Sequence, residues 1–243
     1  MEPQGRCQSC RVRAHPICQA LEAIADVRAG RASVLRKYAK GRSLLDGNRI
    51  PETFGIVVSG VIKLLHGDKD GRQQIVGLLF PGDYLGTTQP LLAHMTAEAA
   101  TAVEICCFPR RTFEMLVERN STLEPAILEH TLLELDAVRS WMRVVLQRPA
   151  QERIACFLVM LEQRIRVPSL PRCEVLELPM SRKEMADYLG VALETVSRQL
   201  THMKEAGAIE TEGRTHIRVL DWQLLERLAN TVSPESGSDQ EAR

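Results

Sequence analysis

Hydrophobic and polar positions divide the chain into differently patterned stretches. Residues 1–18 are polar and cysteine-rich, and too short to bury a core; they read as an arm. Residues 19–37 carry a partial 3.6-residue period through Leu21, Ile24, Ala25, Val27 and Arg28, which predicts a weak helix. Residues 41–86 hold nine of the fifteen glycines. Between these lie the β-rich runs Phe54–Val58, Val61–Leu65 and Gln74–Phe80, followed later by Thr101–Phe108. Ser59-Gly60 and Gly67-Asp68-Lys69-Asp70-Gly71 are hairpin signals. Many short strands with frequent turns predict a small antiparallel roll or barrel, and Arg110–Arg119 a short helix.

Residues 123–146 form the longest helical pattern, with Pro125 tolerated only in its first turn. Leu128, Leu135, Val138, Met142 and Val145 fall on an a/d-like seam, with Thr131 as the polar exception. Such a seam either packs on the helix's own core or pairs with a second copy. Its length beside a small roll favours a dimerisation helix. Pro149 opens a further helix over 149–165, so residues 147–149 are the expected hinge. Pro168 and Pro171 mark a loop, and Glu174–Leu178 alternates as a strand.

Ser181-Arg182-Lys183-Glu184 is a capping box opening a short helix, which Gly190 ends. A second helix runs from about Leu193 to Ala206, and Ile209–Leu220 alternates around Glu212-Gly213. Helix, tight turn, helix and hairpin make a winged helix-turn-helix. Glu194, Ser197 and Arg198 share one face near the start of the second helix. Arg reads guanine edges, Glu accepts from cytosine and Ser reaches either. An intrahelical Glu194–Arg198 pair is the alternative.

Charge changes this picture only locally. Lys+Arg and Asp+Glu are both 31, so no chain-wide basic footprint exists. From Pro179 to Val219 six basic residues face six acidic ones, so DNA affinity must come from their arrangement and from two copies binding together. Aromatics at 4% argue against a stacking platform for single strands. The N-terminus lacks the apolar core of an export signal, and no apolar run reaches membrane-spanning length, so a cytoplasmic protein without a membrane partner is expected. No phosphate-cradling glycine loop or Ser-His-Asp set appears, so an enzyme is not expected.

Composition is unusual in its seven cysteines: Cys7, Cys10, Cys18, Cys106, Cys107, Cys156 and Cys173. In a reducing compartment clustered thiols point to metal or redox chemistry. Cys7 and Cys10 can chelate one centre, with Cys18 looping back. A [4Fe–4S] cluster needs a fourth thiolate from far along the chain. Zinc on Cys7, Cys10, His15 and Cys18 is the sharpest competitor, and a thiol–disulfide switch a third reading. Cys156 lies on an apolar helix face, and Cys173 carries no signal.

A glycine-rich roll, a long helix and a winged helix-turn-helix in that order resemble the CRP/FNR superfamily of bacterial transcription regulators, over roughly residues 7–231. Phe80-Pro81-Gly82-Asp83 and Glu194-Thr195-Val196-Ser197-Arg198 are similar to its motifs. Glu-x-x-Ser-Arg resembles the FNR branch, which implies a TTGAT-like palindromic site and oxygen sensing. The resemblance also implies Cys106 as the fourth ligand, since Cys106-Cys107-Phe108-Pro109 matches a C-x-x-Pro pattern, and leaves Cys107 packed in the roll. It implies an RNA polymerase partner, with Gly82-Asp83 similar to the contact loop. Family cyclic-nucleotide pockets need an Arg for the phosphate, and none lies between Arg72 and Arg110, so no cyclic nucleotide is expected.

The expectation is thus an α+β chain with a cyclic-nucleotide-binding-like antiparallel β-roll, a long dimerisation helix and a C-terminal winged helix-turn-helix. The domains are an arm (1–18), roll (19–120), dimerisation helix (121–147), DNA-binding domain (148–231) and disordered tail (232–243). A [4Fe–4S] cluster on Cys7, Cys10, Cys18 and Cys106 would make this homodimer an oxygen-sensing activator. The alternative is a regulator triggered by haem, nitric oxide or thiol oxidation, with zinc or no metal on the arm.

Overall fold

The computed structural model describes residues 7, 10–24, 27, 32–45, 52–67, 73–86, 95–166 and 170–230. The tail over 232–243 and the turn at Asp68–Gly71 lie outside the described residues.

Pro16 opens α1 (Pro16–Glu22), which begins within the expected arm and runs into the stretch expected to be helical. The helix predicted over 19–37 is only partly there: it ends at Glu22, and Val34–Tyr38 is strand β1. Its residues pair with β8 (Val103–Pro109), Val34 opposite Cys107 and Tyr38 opposite Val103, so ladder pairing overrides the weak helical period.

The roll consists of two four-stranded sheets. One has the order β1-β8-β3-β6, with β3 Thr53–Ser59 and β6 Tyr84–Leu85. The other has the order β2-β7-β4-β5, with β2 Ser43–Leu45, β4 Ile62–Gly67, β5 Gln73–Leu79 and β7 Met95–Ala99. Ser59-Gly60 is therefore not a hairpin. It is a corner where the chain passes from one sheet to the other, with Gly60 at φ +83°. β4 and β5 form the true hairpin.

Two helices leave the roll, α2 (Arg110–Arg119) and the 25-residue α3 (Leu123–Gln147). Pro149 stands just before α4 (Ala150–Ile165), at the expected hinge. The rest is a three-stranded sheet, β10-β11-β9, with β9 Val175–Glu177, β10 Ile209–Glu212 and β11 His216–Val219, packed with helices α5 (Arg182–Leu189), α6 (Leu193–Glu205) and α7 (Trp222–Ala229). Ser181 and Glu184 form the reciprocal capping box, and Gly190 ends α5 in the left-handed conformation at φ +63°.

The C-terminal unit folds back on the roll. Val61, Leu65, Ile75, Phe80 and Ala100 of the roll join the core built on α4 to α7. No helix among the described residues is long and apolar enough to cross a membrane.

Candidate functional site

Cys7, Cys10, Cys18 and Cys106 line one cavity, although almost ninety residues separate the first three from the last. Cys18 is carried by α1, which buries Ile17 and Leu21. Cys106 is carried by β8, paired to Leu35 on one side and Ile56 on the other. The remaining wall is largely apolar, formed by Val12, Leu21, Val27, Ile56, Val58 and Phe108. Burial, together with the negative charge its neighbours would carry, pushes the Cys18 thiol up to about 12. Burial likewise raises Cys106 to about 11, with Cys7 and Cys10 adding to the rise and Ser33 opposing it. Burial also raises Cys7, and four thiols lining one cavity suit a strongly cationic centre that binds them as thiolates, releasing their protons. The donor set thus fits an iron–sulfur cluster, and the apolar wall would limit solvent access to it.

Alternation along β8 separates the two neighbouring cysteines. Cys107 turns the other way, into the cluster containing Val103, Ile105 and Ile62 inside the roll. Cys156 packs against the C-terminal core and its Sγ lies 3.3 Å from the Ala229 carbonyl. Cys173 is exposed. His15, the candidate fourth zinc ligand, does not line the cysteine cavity. Its Nε2 lies 3.0 Å from Nδ1 of His130.

The other candidate surface is α6. It buries Val196, Leu200 and Met203 and turns Glu194 and Arg198 to solvent, with Ser197 half-buried between them. Among the described residues Glu194 and Arg198 form no ion pair with each other. Both are left available to a partner, and β10–β11 stands beyond as the wing. Arg218 on that wing is instead held by Glu212 at 2.6 Å and Glu174 at 3.7 Å.

On α3, Leu128, Leu135, Val138 and Met142 are exposed, and so are Leu132 and Leu146. Leu128, Leu132, Leu135, Arg139, Met142 and Leu146 follow steps of four, three, four, three and four along the helix. Leu132 and Leu146 thus extend the exposed apolar stripe beyond the residues that the sequence pattern singled out. Thr131 is no gap in it, because its hydroxyl bonds Tyr84 of the roll at 2.9 Å. Val145 is half-buried near Gly190 of its own C-terminal unit.

Gly82-Asp83 requires a correction. Both residues are buried, and Asp83 is bonded through both oxygens to Arg164 at 2.6 Å. A contact loop for RNA polymerase must present surface, and these residues present none.

A β-roll joined through a long helix to a winged helix-turn-helix defines a DNA-binding regulator. Residues 35–120 match the cyclic nucleotide-binding domain, and residues 152–228 the Crp-like helix-turn-helix domain. The chain is similar to the transcriptional activator protein FnrL of Cereibacter sphaeroides, 34% identical over 90% of each chain. It is 36% identical to a probable transcriptional activator of Rhizobium leguminosarum, over 91% of this chain and 92% of the other. The structure of FixK2 from Bradyrhizobium japonicum superposes with a TM-score of 0.68, 28% identity and coverage of 81% and 96%. The chain belongs to the CRP/FNR family of transcription regulators and is an activator of FNR/FixK type, not an enzyme.

Proposed function

We propose that this regulator senses oxygen through a [4Fe–4S] cluster held by Cys7, Cys10, Cys18 and Cys106, and binds a palindromic TTGAT-like site as a homodimer to control anaerobic genes. The observation that carries this reading is the convergence of those four thiols on one cavity. When bound, the cluster supplies an oxygen-labile iron–sulfur centre.

The chain's own residues supply the route from that centre to DNA. Three of the four thiols belong to the arm and α1, and the fourth to the rigid strand β8. Holding them together orders the arm against the roll. Ile17 and Leu21 of α1 share an apolar cluster with Leu123 of α3, against which Ala126 and Ile127 pack. Ordering the arm therefore supports α3, and α3 carries the exposed apolar seam. Two copies joined on that seam set the spacing of two α6 helices, which a palindromic site reads as half-sites one turn apart. Glu194, Ser197 and Arg198 are the base-reading residues in this proposal. RNA polymerase is contacted through surface other than the buried Gly82-Asp83. The roll takes no cyclic nucleotide, for want of an arginine between Arg72 and Arg110.

The test is protein purified without air, assayed for iron, sulfide and visible absorbance, with gel shift on a TTGAT palindrome before and after air. Iron with sulfide, and DNA binding lost on exposure, is expected. Zinc without sulfide, or a colourless protein with unchanged binding, overturns it. The zinc result would favour the reading with another trigger.

A further inference from the structure

Away from the cysteine cavity, a second group of ligating side chains gathers where roll, α3 and α4 meet. Asp83 comes from the loop before β6, and His130 and Glu134 stand one turn apart on α3. One ligand atom from each lies within 4.8 Å of the other two. His130 Nε2 is 3.8 Å from Asp83 Oδ1 and 3.7 Å from Glu134 Oε1. Both distances are too long for hydrogen bonds. His130 is only 6% exposed, and its Nε2 is buried without a hydrogen-bond partner. A buried polar atom in that state is unfavourable. A cation held between that nitrogen and the two carboxylates would satisfy it, sharing Asp83 Oδ1 with Arg164, which donates to it at 2.6 Å.

The surroundings agree with this. His130 Nδ1 lies 3.0 Å from His15 Nε2. With Nδ1–H donating to His15, Nε2 presents its lone pair to the two carboxylates, the outer-partner arrangement common to ligating histidines. Asp83 Oδ2 accepts the Phe80 N–H at 2.8 Å, while Oδ1 faces His130. Among the described residues, the cation bonded to the cluster is Arg164, on Asp83. Burial, with the charge of Asp83 adding to it, pushes the Glu134 carboxyl up to about 7.

We propose that Asp83, His130 and Glu134 bind one divalent first-row transition-metal ion per chain, with His15 orienting His130. One imidazole and two carboxylates form a harder set than thiolates and suit ions such as Mn²⁺ or Co²⁺. Arg164 belongs to α4, so an ion on Asp83 competes with one of the bonds that tie the C-terminal unit to the roll.

The test titrates anaerobically purified full-length protein with Mn²⁺, followed by electron paramagnetic resonance, and with Co²⁺, followed by visible absorption. One saturable site per chain is expected in the wild type and in Cys10→Ser, without thiolate-to-cobalt charge transfer from that site. Glu134→Gln and His130→Ala should bind at least tenfold more weakly. Glu134 is partly exposed, so Glu134→Gln keeps the test valid if His130→Ala fails to fold. No saturable binding of either ion overturns the proposal. So does equal binding by wild type and Glu134→Gln, or binding lost only in Cys10→Ser. The cluster reading can fail without affecting this result, because its ligands are different residues.

Discussion

Lys63 of β4 donates to Glu184 at 2.9 Å, and the same carboxylate, through its other oxygen, accepts the Ser181 N–H at 2.8 Å. One acid thus caps α5 and ties it to the roll. Lys63 is nearly buried and also meets Glu98 at 3.0 Å. Burial disfavours its charge, yet the bonds to Glu184 and Glu98 leave its pKa raised. Lys63→Met should lower stability by about 1–3 kcal/mol, because both acids lose their partner while staying partly hydrated. Urea denaturation of the whole chain reads this; an unchanged midpoint would show that the tie contributes nothing.

Leu132, exposed on α3, is expected to meet its own copy across a two-fold axis. Leu132→Asp loses an apolar contact twice per dimer, which should raise the dimer dissociation constant about a hundredfold or more. Sedimentation equilibrium measures it. Thr131→Ala, which removes the hydroxyl's bonds to Tyr84 and to the Ile127 carbonyl of its own helix, should leave the dimer intact.

Cys106→Ser and Cys107→Ser separate ligand from packing. The first should abolish iron and sulfide in anaerobic protein. The second should retain them and lower stability by about 1–3 kcal/mol, through a hydroxyl placed in the apolar roll interior. Metal analysis beside thermal melting distinguishes the two, and retention of iron by Cys106→Ser contradicts the ligand assignment.

Arg198→Ala removes an exposed side chain that makes no ion pair among the described residues, so circular dichroism should not change. Binding to the TTGAT palindrome should weaken by about 1–3 kcal/mol per half-site, with specificity relaxed at one base pair. Fluorescence anisotropy on matched and substituted sites checks this; a uniform loss on every sequence would mark Arg198 as a phosphate contact instead.

Gly60→Ala should be among the most damaging single-methyl changes in the roll. A Cβ there would stand 2.2 Å from the Ala102 carbonyl oxygen, at a φ of +83° that side chains avoid. The obstacle is the Ala102 backbone, so nothing flexible can yield. The expected cost is about 2–3 kcal/mol or more, read by thermal or urea unfolding.

Local chemistry was readable without coordinates wherever its range is a few residues. The Ser181–Glu184 capping box, the Gly190 stop, the Glu194/Ser197/Arg198 face and the break at Pro149 each follow from neighbours in the chain. The same rules misread Ser59-Gly60, because a turn residue says that the chain bends and not which strand it will join. They misread Val34–Tyr38 because its strand state comes from β8, some seventy residues away. They marked Thr131 as the polar exception on the helix without showing that its hydroxyl meets Tyr84 of the roll.

The sequence by itself determined the order of roll, long helix and winged helix-turn-helix, and offered four cysteines as candidates for one centre. Choosing Cys106 over Cys107 needed the family's C-x-x-Pro pattern. The tertiary structure supplies the physical basis, since adjacent residues on one strand face opposite sides and only the fold says which side meets the arm. The spacing of His130 and Glu134 at one helical turn was visible along the chain. Their meeting with Asp83, His15 and Arg164 was not, because it depends on three separately folded parts closing on a single point.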